Sequence, residues 1–295
     1  AKEKIEAEIK ERIEERQGPK PKKLRDYQKK AIKKWWEKNA RGILDHATGS
    51  GKTFTALRGI EVLYKDRDQL CVIIGVPYRM LAYQWIHEIN THFKNEEGFN
   101  GAIGCYSDYK NWDTAAIREG GALQHSINEE RNHLSVYVVV NETLRSDTFQ
   151  ELLQDDKLSK SNRLLFIGDE CHNYAKKSLL NVLHPEARFR LGLSATAFDN
   201  ERKKTDLEKE MEAYFGPILD RYTLSDGLRD GFLCKYEYHP QLIYLKEDEF
   251  HEWREYLDSY GGSMDTYEDA DHESAAFKNM ERTIDNASNK YKQFL

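Results

Sequence analysis

The stretch HATGSGKT, residues 46–53, lies between an apolar run, GILDH (42–46), and a helix-forming one, FTALRGIEVL (54–63). A glycine-rich turn between a strand and a helix offers several backbone N–H groups and the positive end of a helix dipole to a phosphate. Gly49 and Gly51 permit close backbone approach, Lys52 can reach β- and γ-phosphates, and the Thr53 hydroxyl can ligate Mg2+. The pattern GxxxxGKT asks for glycine where this chain has His46. Two readings follow: a nucleotide site with an altered start, or a glycine-rich turn without a ligand.

Outward from this stretch, short apolar runs alternate with amphipathic segments. The expected strands are GILDH (42–46), LCVIIGV (70–76), GAIGCY (101–106), SVYVVV (135–140), RLLFIGD (163–169), RFRLGLS (188–194) and KYEYHPQLIYL (235–245). Most are nearly all apolar, as parallel strands covered on both faces must be. Helix-like segments at 53–64, 78–93 and 143–154 separate them, which predicts an α/β domain with a doubly wound, mainly parallel sheet over residues 24–245. In RLLFIGDECH (163–172) the apolar run delivers Asp169 to the carboxyl end of a strand, where open α/β sheets hold ligands. Asp169 there can hold Mg2+, usually through water, and Glu170 can polarise an attacking water as general base.

Bulk properties narrow the classes. Charged residues make up 33% of the 295 and hydrophobic ones 39%, and the longest apolar runs are too short to span a bilayer. The four cysteines, Cys71, Cys105, Cys171 and Cys234, form no CxxC pair, which argues against zinc or a disulfide framework and for a reducing, cytoplasmic location. A net charge of −6 means that any nucleic-acid contact must come from a local patch. Residues 1–17 place Ile5, Ile9 and Ile13 along one thin helical stripe, and GPKPKK (18–23) breaks it. Residues 1–23 read as a linker or a packing arm, attached to a preceding domain such as a nuclease or targeting domain.

The motifs ATGSGKT and DECH together resemble the N-terminal RecA-like domain of superfamily 2 helicases and translocases. Further matches follow in order. LRDYQKKAI (24–32) is similar to the upstream motif whose glutamine reads adenine, here Gln28, with Arg25 in support. VPYRMLAYQW (76–85) resembles motif Ia, a nucleic-acid backbone contact carried by Pro77, Arg79 and Gln84. VVVNETLRS (138–146) offers Thr143 as a later nucleic-acid contact, and LGLSATAFD (191–199) resembles motif III, in which Ser194 and Thr196 link hydrolysis, through His172, to nucleic acid. LSDGLRDGFLCKYEY (224–238) is similar to a segment of the XPB-type and restriction-enzyme motor branches.

The resemblance implies ATP and Mg2+ on Thr48, Gly49, Ser50, Gly51, Lys52 and Thr53, with Arg25 and Gln28 near the base. Lys52, Asp169, Glu170 and His172 would carry hydrolysis, with Thr53 and Asp169 on the metal. It also implies a second RecA-like domain in the same polypeptide, whose arginines reach the γ-phosphate. No second sheet is legible, and residues 246–295 read as a helical extension leading toward that absent domain. Within motif III the family's proline is replaced by Ala197, which changes the stiffness of the backbone there.

Other features have plainer alternatives. Nine lysines and arginines between 20 and 38 form either a phosphate-neutralising patch or a solvated helix face. Trp35, Trp36, Tyr78, Tyr83 and Trp85 read as packing groups, and the acidic loop 265–273 as solvated. Cys171 and His172 lack the further ligands a zinc site needs. The expected function is an ATP-dependent DNA helicase or translocase motor domain. The alternatives are a double-stranded DNA translocase of a restriction or defence complex, and a non-catalytic nucleic-acid-binding scaffold. The expected partners are nucleic acid, DNA before RNA, the second RecA-like domain and other complex subunits, with no membrane.

Overall fold

A computed structural model describes residues 23–67, 69–106, 133–153, 163–185, 187–198, 203–235, 244–260, 279 and 282–284. The chain divides into two compact units, Ala1–Cys234 and Lys235–Leu295.

The first unit is built on a seven-stranded sheet: β1 (Arg41–His46), β2 (Gln69–Val76), β3 (Phe99–Cys105), β4 (His133–Val140), β5 (Leu164–Asp169), β6 (Phe189–Ser194) and β7 (Ile218–Tyr222). The spatial order is β3-β4-β2-β5-β6-β1-β7, and every pairing is parallel. The helices are α1 (Asp26–Glu37), α2 (Lys52–Arg67), α3 (Arg79–His92), α4 (Asn141–Leu144), α5 (Asp147–Leu153), α6 (Lys177–Leu180), α7 (Asp206–Phe215) and α8 (Leu224–Arg229). The second unit contributes α9 (Glu247–Tyr260), where Trp253 packs with Leu245, Tyr256, Leu257 and Ile284.

Alternation along the strands sends side chains to two cores. Leu44, Val72, Ile74 and Val138 join Trp35, Leu57, Ile60, Trp85 and Ile89 from α1, α2 and α3 on one face. Ile43, Ile73, Val139 and Phe166 join Tyr174, Met211 and Phe215 on the other. All residues of β2, β5 and β6 are buried, as expected of central parallel strands.

Six expected strands are present with ends shifted by one or two residues. The seventh strand is Ile218–Tyr222 instead. Of the strand expected at 235–245, Lys235, Tyr244 and Leu245 are described and none lies in a strand, and the rest falls outside the described residues. So do the stripe at 1–17, the acidic loop at 265–273 and most of the last helix. The helix expected at 143–154 is two short ones. Ser146 ends the first and starts the second: its hydroxyl donates to the Thr143 carbonyl at 2.7 Å and accepts the Phe149 N–H at 3.3 Å.

The aromatic expectations need correction. Trp35 and Trp85 are buried, but Trp36, Tyr78 and Tyr83 are exposed at 38%, 57% and 45%. Tyr78 caps α3 beyond the sheet edge, and Trp36 lies one residue round α1 from the stripe that faces the core.

Candidate nucleotide site

Because all seven strands are parallel, their carboxyl ends share one edge of the sheet, and the loops that leave it meet there. β1 ends at His46, and the chain turns through Ala47–Gly51 into α2. Gly49 and Gly51 have φ of +78° and +87°, a left-handed backbone that glycine adopts without steric cost. Thr48 and Gly49 are exposed at the crest of the turn, and Ser50 is buried beneath it. Lys52 folds back over the loop: its Nζ donates to the His46 carbonyl at 3.0 Å and lies 4.0 Å from Glu170 Oε1. Thr53, half-buried, follows in the first turn of α2.

α1 braces this turn from one side. The Tyr27 hydroxyl donates to the Ser50 carbonyl. Gln28 is buried, with Nε2 donating to the Ser50 and Gly51 carbonyls at 3.3 Å each and Oε1 accepting the Arg25 N–H at 2.9 Å. Gln28 therefore faces the backbone of the loop. Tyr27 stacks on Tyr222 with ring centroids 3.7 Å apart, and the Arg25 guanidinium lies 3.8 Å from the centre of the half-exposed Phe232 ring.

His46, where the familiar pattern has glycine, is buried at the end of β1 with an ordinary strand backbone. Its Nε2 lies 3.2 Å from Asp220 Oδ2, and Lys34 Nζ pairs with Asp220 Oδ1 at 2.6 Å. The position needs no left-handed residue, so a side chain fits and ties β1 to β7.

β5 carries Asp169 and Glu170 to the same edge. Asp169 is 6% exposed, and burial raises its carboxyl above the usual range. Oδ2 accepts the Trp85 indole N–H at 2.8 Å and Oδ1 the Glu170 backbone N–H at 3.1 Å. Glu170 has φ of +46°, an uncommon backbone for a residue with a side chain and one that clusters at functional sites. Its Oε2 lies 3.5 Å from His172 Nδ1. His172 Nδ1 is also 2.9 Å from Ser194 Oγ at the end of β6, and the Thr196 N–H donates to that hydroxyl at 3.1 Å. Burial lowers the His172 pKa below the usual histidine value, against the pull of the Glu170 charge, so the ring is neutral near pH 7. Ala197, where the family pattern has proline, donates its N–H to Asp45 Oδ1 at 3.2 Å, a bond no proline could make.

Pro77 and Arg79 follow β2, and Gln84 lies on α3, with Arg79 and Gln84 exposed. Thr143 follows β4, half-buried in α4. Since β4 and β2 adjoin on one flank of β5, and β6 and β1 occupy the other, these four residues and the loop at 48–53 leave opposite halves of one edge.

Among the described residues no group of three or more His, Cys, Asp or Glu side chains could hold a metal ion. One hydroxyl and one carboxylate, Thr53 and Asp169, suit Mg2+ bound chiefly by phosphate oxygens and water rather than by a protein cage. Trp85, Tyr27, Tyr222 and Phe232 belong to this site although the sequence had marked them only as packing groups or not at all. Their signal was the company of a P-loop, which spacing alone does not supply. Among the described residues no helix is long and apolar enough to cross a membrane.

The family described as type III restriction enzyme, res subunit, matches residues 21–199. This chain belongs to that family. Over 78 residues it is 37% identical to the DNA 3'-5' translocase XPB2 of Sulfurisphaera tokodaii, covering 26% of this chain and 16% of the relative. Over 224 residues it is 26% identical to the type I restriction enzyme EcoAI endonuclease subunit of Escherichia coli, covering 72% and 23%. Two solved structures share its fold. A nuclease-deletion mutant of the type ISP restriction-modification enzyme LlaGI in complex with a DNA substrate mimic matches with a TM-score of 0.52 at 18% identity, over 89% of this chain and 26% of that one. The ATP-dependent type ISP enzyme LlaBIII bound to DNA matches with a TM-score of 0.51 at 21% identity, over 72% and 16%. The chain thus spans between 16% and 26% of the length of these four proteins. Its parallel sheet flanked by helices is a RecA-like fold.

Proposed function

We propose that this chain is the first RecA-like half of a DNA motor, binding Mg-ATP at its sheet edge and coupling hydrolysis to movement along DNA. The observation that carries this reading is the approach of Lys52 Nζ to within 4.0 Å of Glu170 Oε1, which brings the glycine-rich turn and the acidic strand end side by side at one edge of the sheet. Phosphoryl transfer demands positioning and charge neutralisation more than covalent chemistry from the protein. Backbone N–H groups of residues 49–53 and Lys52 bind the phosphates. Arg25 and Phe232 lie beside the base, and Gln28 holds the loop in shape. Thr53 and Asp169 hold Mg2+, which when bound neutralises phosphate charge. Glu170 accepts the proton of the attacking water, and the neutral His172 ties Glu170 to Ser194 and so to motif III.

DNA runs across the half of the edge that holds Pro77, Arg79, Gln84 and Thr143. A second RecA-like domain closes on the nucleotide and supplies arginines. Translocation along DNA is favoured by the similarity to a DNA translocase and to a restriction endonuclease subunit.

The test uses the full-length protein. Lys52→Ala and Glu170→Gln abolish DNA-stimulated ATP hydrolysis, and unchanged turnover in either variant rejects the mechanism. Triplex displacement without strand displacement identifies translocation, and efficient strand displacement identifies a helicase.

A further inference from the structure

Trp85 is 1% exposed and sits on the buried face of α3 with Ala82, Ile86 and Ile89. Its ring belongs to the core, but its N–H does not end there: it donates at 2.8 Å to Oδ2 of Asp169, a carboxylate 6% exposed at the end of β5. A buried tryptophan needs a partner for its N–H, and any carbonyl serves. Trp35, in the same core, is satisfied in that ordinary way, donating to the Arg190 carbonyl at 2.9 Å. Among the described residues Asp169 has no ion-pair partner, so the indole and the Glu170 backbone N–H orient its two oxygens. The placement follows from topology. β2 and β5 are neighbours with Gly75 opposite Gly168, and α3 begins three residues beyond the end of β2, which brings its second turn over the end of β5. Its exposed face carries Arg79 and Gln84, and Gln84 directly precedes Trp85.

We propose that Trp85 is a positioning residue: its indole fixes Asp169, and through it α3 links DNA contact at Arg79 and Gln84 to the carboxylate that holds the metal. One helix then presents a DNA-facing side chain and a carboxylate-facing one in consecutive positions. A shift of α3 on DNA engagement moves the indole, and with it the plane of the carboxylate. The proposal rests on the motor reading above.

The experiment replaces Trp85 in the full-length protein with β-(3-benzothienyl)alanine, which keeps the two-ring shape and removes only the N–H donor, with Trp85→Phe in parallel. Calorimetry measures ATP affinity with and without Mg2+, and turnover is measured with and without duplex DNA. Groups that orient a metal ligand typically contribute about 10- to 100-fold in metal affinity. The expected result is a Mg2+ half-saturation raised about tenfold with metal-free ATP affinity unchanged, and a smaller stimulation by DNA. A purely structural role predicts equal loss with and without Mg2+, and that outcome overturns the proposal, as does an isostere indistinguishable from the parent. So does a raised Mg2+ requirement with DNA stimulation intact, because α3 then carries no signal. A parent protein without DNA-stimulated, Mg2+-dependent ATPase rejects the motor reading itself, a failure visible before any variant is made.

Discussion

At the scale of single residues, two departures from the familiar motifs are each occupied by a side chain or donor with a partner of its own. Ala197 supplies the N–H that Asp45 accepts, and Asp45 also pairs with Arg221 at 3.2 Å. Ala197→Pro restores the family pattern but deletes that donor. It is expected to lower unfolding free energy by roughly 1–3 kcal/mol in urea titration, the usual cost of losing a buried partner. A variant as stable as the parent would show that the bond contributes nothing. His46 fills the other departure through Asp220. Burial pushes the Asp220 carboxyl up, but hydrogen bonds from His46 and Lys34 and the Lys34 charge outweigh it and hold the pKa below the usual carboxylate value. A carboxylate depressed on folding contributes stability above its unfolded pKa, about 3.9, and loses it as pH falls through the folded one. Asp220→Asn is therefore expected to be less stable than the parent at pH 7, with the difference closing below about pH 4. Urea titrations at several pH values check this, and a gap that widens in acid contradicts it.

Among elements, α8 and the turn after it place a leucine against the glycine-rich loop. Thr223 caps α8 with a reciprocal bond to Asp226, and Gly227 within it has no side chain because Leu233 folds back onto it. A Cβ at Gly227 would lie 2.5 Å from Leu233 Cδ1, and one at Gly49 would lie 3.0 Å from Leu233 Cδ2. Leu233 is thus wedged between α8 and the loop. Gly227→Val should push it against Gly49 and weaken ATP binding by about tenfold, roughly 1.4 kcal/mol, with a small change in melting temperature. Calorimetric titration reads the first and a thermal melt the second, and parental affinity would sever α8 from the site.

The sequence showed this element as a family-like segment without showing its contact, since Leu233 and Gly49 are remote along the chain. It showed β1, β2, β4, β5 and β6 because strands buried on both faces are apolar runs. It hid β7 because an edge strand tolerates Asp220 and Arg221, and ILDRY has neither an apolar run nor clean alternation. The same limit hid Trp85: a tryptophan on an amphipathic helix reads as core, and only the fold reveals that its N–H reaches Asp169.

For the whole molecule, the decisive quantity is how much of the catalytic charge this chain carries. At the proposed γ-phosphate position it offers Lys52, the N–H groups of the loop and the pair Asp169 and Glu170, and no arginine is paired with either carboxylate among the described residues. Arginines reaching the γ-phosphate from a second domain contribute about 10³- to 10⁵-fold to turnover in phosphoryl-transfer enzymes. Binding and hydrolysis should therefore separate. The 295-residue chain is expected to bind Mg-ATP, yet turn it over at least about a thousandfold more slowly than the full-length protein on DNA. Calorimetry for binding and single-turnover hydrolysis for chemistry measure the two parts independently. Turnover by the isolated chain within tenfold of the full-length rate would mean that this half is catalytically self-sufficient, and the requirement for domain closure would fall.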